Sequence, residues 1–215
     1  MTPGDTDPTN TDVGVGPHSQ PWPDDPRLDP ELLAAGDRRN VVDRYRYWRM
    51  GEIIADLDAR RERWRPARLQ VAIQNWQHDF NIGSMVRTAN AFNVEMVHIV
   101  GNRRWNRRGA MVTDRYLHVE HRPAVAELAE YCRREQLTLV GVDNLPGSVP
   151  LETTALPAKC CLVFGSEGPG LTEEMVDACA LLVGITQYGS TRSINAGAAA
   201  AIAFYQWGLT HLGGS

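Results

Sequence analysis

The sequence predicts an α/β fold, a mostly parallel sheet with helices on both faces. Two observations predict it. After residue 67, short apolar runs alternate with helix-like stretches. Such alternation is the signature of strands joined through crossover helices. Polar and glycine-rich segments lie at the carboxyl ends of the runs, where open α/β sheets hold their ligands.

The expected strands are Leu69–Ile73, Met96–Val100, Thr138–Val142, Cys160–Phe164 and Leu181–Ile185. The expected helices between them are Ile82–Ala91, Ala124–Glu135, Leu171–Cys179 and Ala196–Thr210. An earlier helix is expected over residues 41–64, where Val41, Val42, Tyr45, Trp48, Ile53, Ile54 and Leu57 fall at helical spacing. Gly51 marks a point of weakness in it and Pro66 ends it. Residues 1–36 are rich in Pro, Asp, Thr and Gly and carry too little apolar surface to offset ordering entropy. The expected organisation is therefore a disordered acidic tail over 1–36, a helical extension over 37–66 and one α/β domain over 67–215.

Length and composition suit one domain with a substantial core: 215 residues, 43% hydrophobic and 22% charged. No run of 18 apolar residues is present and no secretory leader is visible, so a cytoplasmic protein without a membrane partner is expected. Cys132, Cys160, Cys161 and Cys179 lack the spacing of a zinc site and read as reduced buried thiols. The net charge of −4 at first argues against a nucleic-acid partner. Residues 1–31 alone carry −6, which leaves +2 on the rest. Lys159 is the single lysine among 22 basic residues. The arginine fork matches phosphate oxygens, although codon usage could produce the same skew.

Three segments carry candidate chemistry. In the first, Asn81 opens a helix and Arg87 follows six residues later; a helix cap and a surface arginine would explain them equally well. In the second, Gly165-Ser166-Glu167-Gly168-Pro169-Gly170 joins an apolar strand to a helix capped at Thr172. Its glycines allow backbone to approach a ligand closely. The order is neither the dinucleotide fingerprint nor a P-loop, and Glu167 is better placed to orient a ligand than to aid folding. In the third, Ser193-Ile194-Asn195 leads into an alanine-rich helix, where capping is again an adequate reading. Separately, Arg103-Arg104-Trp105-Asn106-Arg107-Arg108 sets four arginines around one aromatic. That composition suits phosphates with a stacked base, or a solvated loop. The arginine-rich stretch from Arg38 to Arg68 could extend such a footprint.

Together the three segments resemble the SpoU (TrmH-like) branch of the SPOUT RNA methyltransferases. Asn81 and Arg87 match the first motif, Gly165, Glu167, Gly170 and Leu171 the second, and Ser193, Ile194 and Asn195 the third. The resemblance covers roughly residues 68–210. Thr186, Ile194, Ala196 and Asn93 depart from residues common in the family. The resemblance implies a C-terminal deep trefoil knot and a homodimer. It also implies S-adenosylmethionine as cofactor, no metal, and methyl transfer to a ribose 2′-hydroxyl of RNA, transfer RNA ahead of ribosomal RNA. Arg87 would then clamp the acceptor nucleotide, oriented by Asn81, Glu167, Ser193 and Asn195. Backbone near Asp143, Gly165, Ile185 and Ile194 would hold the adenosyl group, and Arg103, Arg104, Trp105, Arg107 and Arg108 would meet RNA. A silent binding module of the same fold stays open. The missing fingerprints speak against a nucleotide enzyme of another class.

Overall fold

A computed structural model describes residues 14–76, 81–166, 168–191 and 193–213. The chain divides into two compact units, Met1–Ala55 and Asp56–Ser215.

Of the tail expected over 1–36, residues 1–13 lie outside the described residues, and the part from Gly14 onward carries a bridge at Val15 and a short helix. Helix α1 (Pro30–Ala35) starts on Pro30, and Asp29 caps it by accepting from the Glu31 N–H at 2.9 Å. Val15 bridges to Asp37 in antiparallel fashion. Asp37 is fully buried and accepts from Arg39 at 2.6 Å and from the Tyr47 N–H at 2.9 Å. Burial opposes its ionisation, yet the donors of Arg39 and Tyr47 win and bring its pKa down to about 2. The Asp37 carboxylate thus ties together residues 37–47, while its backbone pairs with Val15. The helix expected over 41–64 is also shorter. A 3₁₀ turn occupies Asp43–Tyr45, Tyr47 is left-handed (φ 61°), and α2 begins only at Met50 and ends at Glu62. Gly51 lies in its first turn rather than at a break.

The second unit holds a seven-stranded sheet: β1 (Arg68–Asn75), β2 (Met96–Gly101), β3 (Val119–Arg122), β4 (Thr138–Val142), β5 (Val149–Pro150), β6 (Lys159–Phe164) and β7 (Leu181–Gly184). The order is β3-β2-β1-β6-β4-β7-β5, and every neighbouring pair is parallel. The helices are α3 (Ile82–Ala91), α4 (Val125–Arg134), α5 (Glu173–Ala178) and α6 (Ala196–His211). Side chains alternate across the sheet, so β1 sends Leu69, Val71 and Ile73 to one face and Ala72 to the other. The first face packs under α3 and α6 with Met85, Phe204 and Trp207. The second packs under α4 and α5 with Leu128 and Met175.

The cysteines are free; Cys160 lies on the first face and Cys161 on the second. Burial pushes the Cys160 thiol up to about 12, which keeps it an inert core group. Among the described residues no helix is long and apolar enough to cross a membrane, and no three His, Cys, Asp or Glu gather as a metal site.

Candidate active site

The carboxyl ends of β4, β6 and β7 surround a cavity of about 430 Å³. Asp143, Gly165, Ile185 and Ile194 all line it, together with Ser193 and Asn195. Six of the residues singled out in the sequence therefore share one wall system. Glu167 lies outside the described residues, and so does the part of the first segment between residues 77 and 80.

The glycine loop is built by residues that sequence reading passed over. Gln74, fully buried near the end of β1, donates from Nε2 to Thr172 Oγ1 at 2.9 Å and accepts from the Thr172 N–H at 3.0 Å. Ser166 Oγ donates to the Gln74 carbonyl at 3.1 Å. Thr172 caps α5, as its place in the sequence suggests, by accepting from the Met175 N–H. Gly165 has room for no side chain, because a Cβ there would overlap the Gly170 carbonyl carbon. Gly170 is left-handed (φ 72°), and its Cα lies against Asp143 Oδ2. That same oxygen accepts from the Leu171 N–H at 2.9 Å, which ties β4 to the glycine loop.

At the end of β7, Asn144 accepts from the Ile185 N–H at 2.8 Å and donates to the Ile185 carbonyl at 3.1 Å. Of the backbone expected near Ile185 to meet the adenosyl group, these bonds engage both polar atoms of Ile185 itself. Its N–H is taken, its carbonyl keeps one lone pair, and the residue lines the cavity. Gln187 lines the same wall with Oε1 buried and without a hydrogen-bond partner among the described residues. The signal for Asn144 and Gln74 was present in the sequence: polar amides at the ends of otherwise apolar strands.

Asn195 caps α6, accepting from the N–H groups of Gly197 at 2.9 Å and Ala198 at 3.4 Å. Its Nδ2 donates to Asn81 Oδ1 at 2.9 Å. Asn81 stands at the start of α3 but makes no side-chain cap bond there, so the capping explanation fails for it. Ser193 and Ile194 are exposed on the cavity wall. Arg87 is not part of this cluster. It is exposed on α3, six residues and thus roughly 9 Å of helix rise beyond Asn81, and has no partner among the described residues.

The basic loop is anchored by Asn75, whose Nδ2 donates to the carbonyls of Asn102 at 2.7 Å and Arg104 at 2.9 Å. Arg103, Arg104 and Arg108 are exposed and have no acidic partner among the described residues. Trp105 behaves otherwise than expected. It is half-buried against the core, with the Arg107 guanidinium 5.4 Å from its ring centroid, and Arg107 pairs with Asp114 at 3.5 Å. The ring packs against the core and keeps part of its surface accessible.

The extended arginine footprint is likewise reduced. Arg60 pairs with Asp56 at 3.1 Å, Arg61 with Asp58, Arg65 with Glu62 at 2.9 Å and Arg68 with Glu95 at 2.9 Å. Asn93, where the family commonly has glycine, is left-handed (φ 49°). It donates to the Leu57 carbonyl at 3.1 Å and accepts from Arg61. Asparagine is one of the few residues that tolerate this conformation.

A parallel sheet with a cavity walled by its late loops, joined to an asparagine pair at two helix starts, defines a ligand-binding α/β protein. The sequence pattern of the SpoU rRNA Methylase family matches residues 68–205, from β1 into α6, and the chain belongs to that family. An uncharacterized tRNA/rRNA methyltransferase of Synechocystis sp. is 30% identical over 172 residues, 75% of this chain and 42% of that protein. The tRNA (guanosine(18)-2′-O)-methyltransferase of Borreliella burgdorferi is 25% identical over 128 residues, 58% of this chain and 59% of that one. The chain thus spans less than two thirds of either relative. Among solved structures, the SpoU methyltransferase AviRb of Streptomyces viridochromogenes, in complex with AdoMet, shares the fold. Its TM-score is 0.63 at 23% identity, over 70% of this chain and 63% of that one. The A. aeolicus TrmH/SpoU tRNA modifying enzyme gives 0.62 at 20% identity, over 74% and 85%.

Proposed function

We propose that the protein transfers a methyl group from S-adenosylmethionine to a ribose 2′-hydroxyl of RNA, with transfer RNA as the substrate class. The observation that carries this reading is the Asn195–Asn81 hydrogen bond. It joins the first and third family motifs beside a cavity whose volume lies in the range of roughly 300–1,000 Å³ usual for small-molecule sites.

The cavity fits such a cofactor. Phe164, Ile185, Ile194 and Ala199 offer apolar wall for a flat base. The carboxylate of Asp143, the amide of Asn144 and the buried acceptor Oε1 of Gln187 offer partners for hydroxyl and amine groups. When bound, S-adenosylmethionine supplies a methyl group already activated by its sulfonium, so the residues present need only position the acceptor oxygen. Arg87 holds the acceptor phosphate and ribose as a protonated clamp; the methyl passes from sulfonium to the 2′-oxygen, leaving the neutral thioether, while the hydroxyl proton passes to the clamped RNA phosphate and on to solvent. Asn81, Ser193 and Asn195 orient the ribose, and Glu167 joins them. Arg103, Arg104 and Arg108 extend the contact along the phosphate backbone.

The same reading includes a trefoil knot at the C-terminal segment and a homodimer in the cytoplasm. Support for the dimer comes from α6, where Ile202, Tyr205 and Leu209, 44–57% exposed, share one helical stripe. Such a stripe suits a second copy of this chain.

The test is tritium transfer from labelled S-adenosylmethionine into separate unmodified transfer-RNA and ribosomal-RNA pools, followed by nucleoside analysis. Label in a 2′-O-methylnucleoside of transfer RNA is expected. Label in a base methyl group would overturn the reaction, and label in ribosomal RNA alone would overturn the substrate class. Bound cofactor with no label in either pool would leave a binding module.

A further inference from the structure

Trp105 is partly buried against the core, so the basic loop presents its aromatic less openly than its sequence suggests. The fold supplies another. Trp76 follows directly on β1, and its side chain is 39% exposed. Gly101, the last residue of β2, lies under it. A Cβ on Gly101 would stand 2.7 Å from Cε3, 2.7 Å from Cζ3 and 2.9 Å from Cδ2 of the indole. Three neighbouring ring atoms at nearly equal distance mean that the glycine meets the face of the ring, not its edge. Gly101 is itself left-handed (φ 98°), a second reason for glycine there.

The backbone around the ring is fixed as well. Asn102 donates from Nδ2 to the Trp76 carbonyl at 3.0 Å, and the neighbouring Asn75 holds the carbonyls of Asn102 and Arg104. Through these bonds the indole is tethered to the base of the loop that carries the unpaired Arg103 and Arg104. One ring face is spent on Gly101, and the residue keeps 39% of its surface exposed among the described residues. An exposed aromatic beside arginines lacking acidic partners is the combination that binds an unpaired nucleotide, base on ring and phosphate on guanidinium.

We propose that Trp76 is the stacking platform for an unpaired RNA base, with Arg103 and Arg104 on the adjoining phosphates. This rests on the RNA reading above and deepens it. Stacking contributes affinity for RNA and none for the cofactor, so the two can be separated.

The experiment measures RNA affinity, KM for RNA and S-adenosylmethionine affinity in the full chain and in Trp76→Leu and Trp76→Phe, using unmodified transfer RNA and ribosomal RNA as probes. Trp76→Leu should weaken RNA binding about tenfold and raise KM similarly, and Trp76→Phe should recover most of the loss. Cofactor affinity, kcat and the salt dependence of RNA binding should hold, since no phosphate contact is removed. A second reading is fluorescence: RNA should quench the wild-type emission by an increment missing from Trp76→Phe. That result does not depend on the leucine variant folding. Wild-type RNA affinity in a folded Trp76→Leu, or no such quenching increment, would overturn the proposal and leave the methyltransferase reading standing. An equal loss of cofactor and RNA affinity would show a structural role and overturn it too. A wild-type protein that binds neither RNA would take down the function and this platform together.

Discussion

Asn195 donates its side-chain N–H to the Asn81 amide oxygen at 2.9 Å, linking the starts of α6 and α3 across 114 residues. The two ends of this bond are unequal. Asn195 also caps its helix, whereas Asn81 does not cap its own. Asn195→Ala should therefore cost about 1–2 kcal/mol, a lost cap plus a lost bond, and Asn81→Ala about half that. Urea unfolding of the two variants and the double variant measures the difference. Equal losses would mean that the cap contributes nothing.

Arg87 stands apart from the asparagine pair, exposed and without an internal partner among the described residues. Arg87→Ala should abolish methyl transfer while cofactor affinity, measured by calorimetry, stays within about twofold. Arg87→Lys should not restore the rate, because an ammonium cannot reproduce the planar fork. Near-normal turnover in Arg87→Ala would remove this residue from the mechanism.

Gly170 combines a left-handed backbone with contact against Asp143. Gly170→Ala should destabilise the domain by about 1–3 kcal/mol and weaken binding of S-adenosylmethionine, because Asp143 must move. Thermal melting with and without cofactor reads both effects. An unchanged cofactor-induced shift would show that the Asp143 wall does not meet the ligand.

His98 is fully buried, its Nε2 within 2.9 Å of Gln70 Oε1. Burial first, then the Arg122 charge, lowers its pKa to about 3. A lowered folded-state pKa means that the unfolded chain binds the extra proton. The stabilising contribution is complete above pH 6.5 and is lost as pH falls towards 3, by about 1.4 kcal/mol per unit inside that window. His98→Gln should flatten this part of the stability profile between pH 6.5 and 4. An unaltered slope would place the acid sensitivity elsewhere.

Arg103, Arg104 and Arg108 should each meet one phosphate. Replacing all three with alanine should reduce the slope of log affinity against log salt by about 2–3, at roughly 0.7–0.9 per contact. Titrations of RNA at several potassium concentrations test this. A slope that does not move would leave these arginines as plain solvated surface.

Much of the sheet is legible because its strands are apolar runs between turns. β4 and α3 fall on the residues their patterns suggest, Thr138–Val142 and Ile82–Ala91. β3 is not legible, since Val119-Glu120-His121-Arg122 is an edge strand with little burial, nor is the two-residue β5. The cavity residues follow from motif positions at strand ends. What pattern cannot reveal is pairing over distance. Asn81 reads as a cap until Asn195 is seen to hold it, and Trp105 reads as an exposed ring until its packing against the core is seen. Asp37 adds a case the pattern does not show: its buried carboxylate gathers Arg39 and Tyr47 in a stretch that reads as plain helix.

Every residue that lines the cavity lies between Val142 and Ala199. A nascent chain on the ribosome carries Asn81, Arg87 and the basic loop long before it carries any wall of that cavity. Small-molecule binding can then stabilise only the completed domain and offers partly made chains no protection from proteases. Among the described elements α6 comes last in the chain, and its first turns close the site. Late synthesis errors and C-terminal clipping should therefore erase ligand binding while sparing most of the sheet.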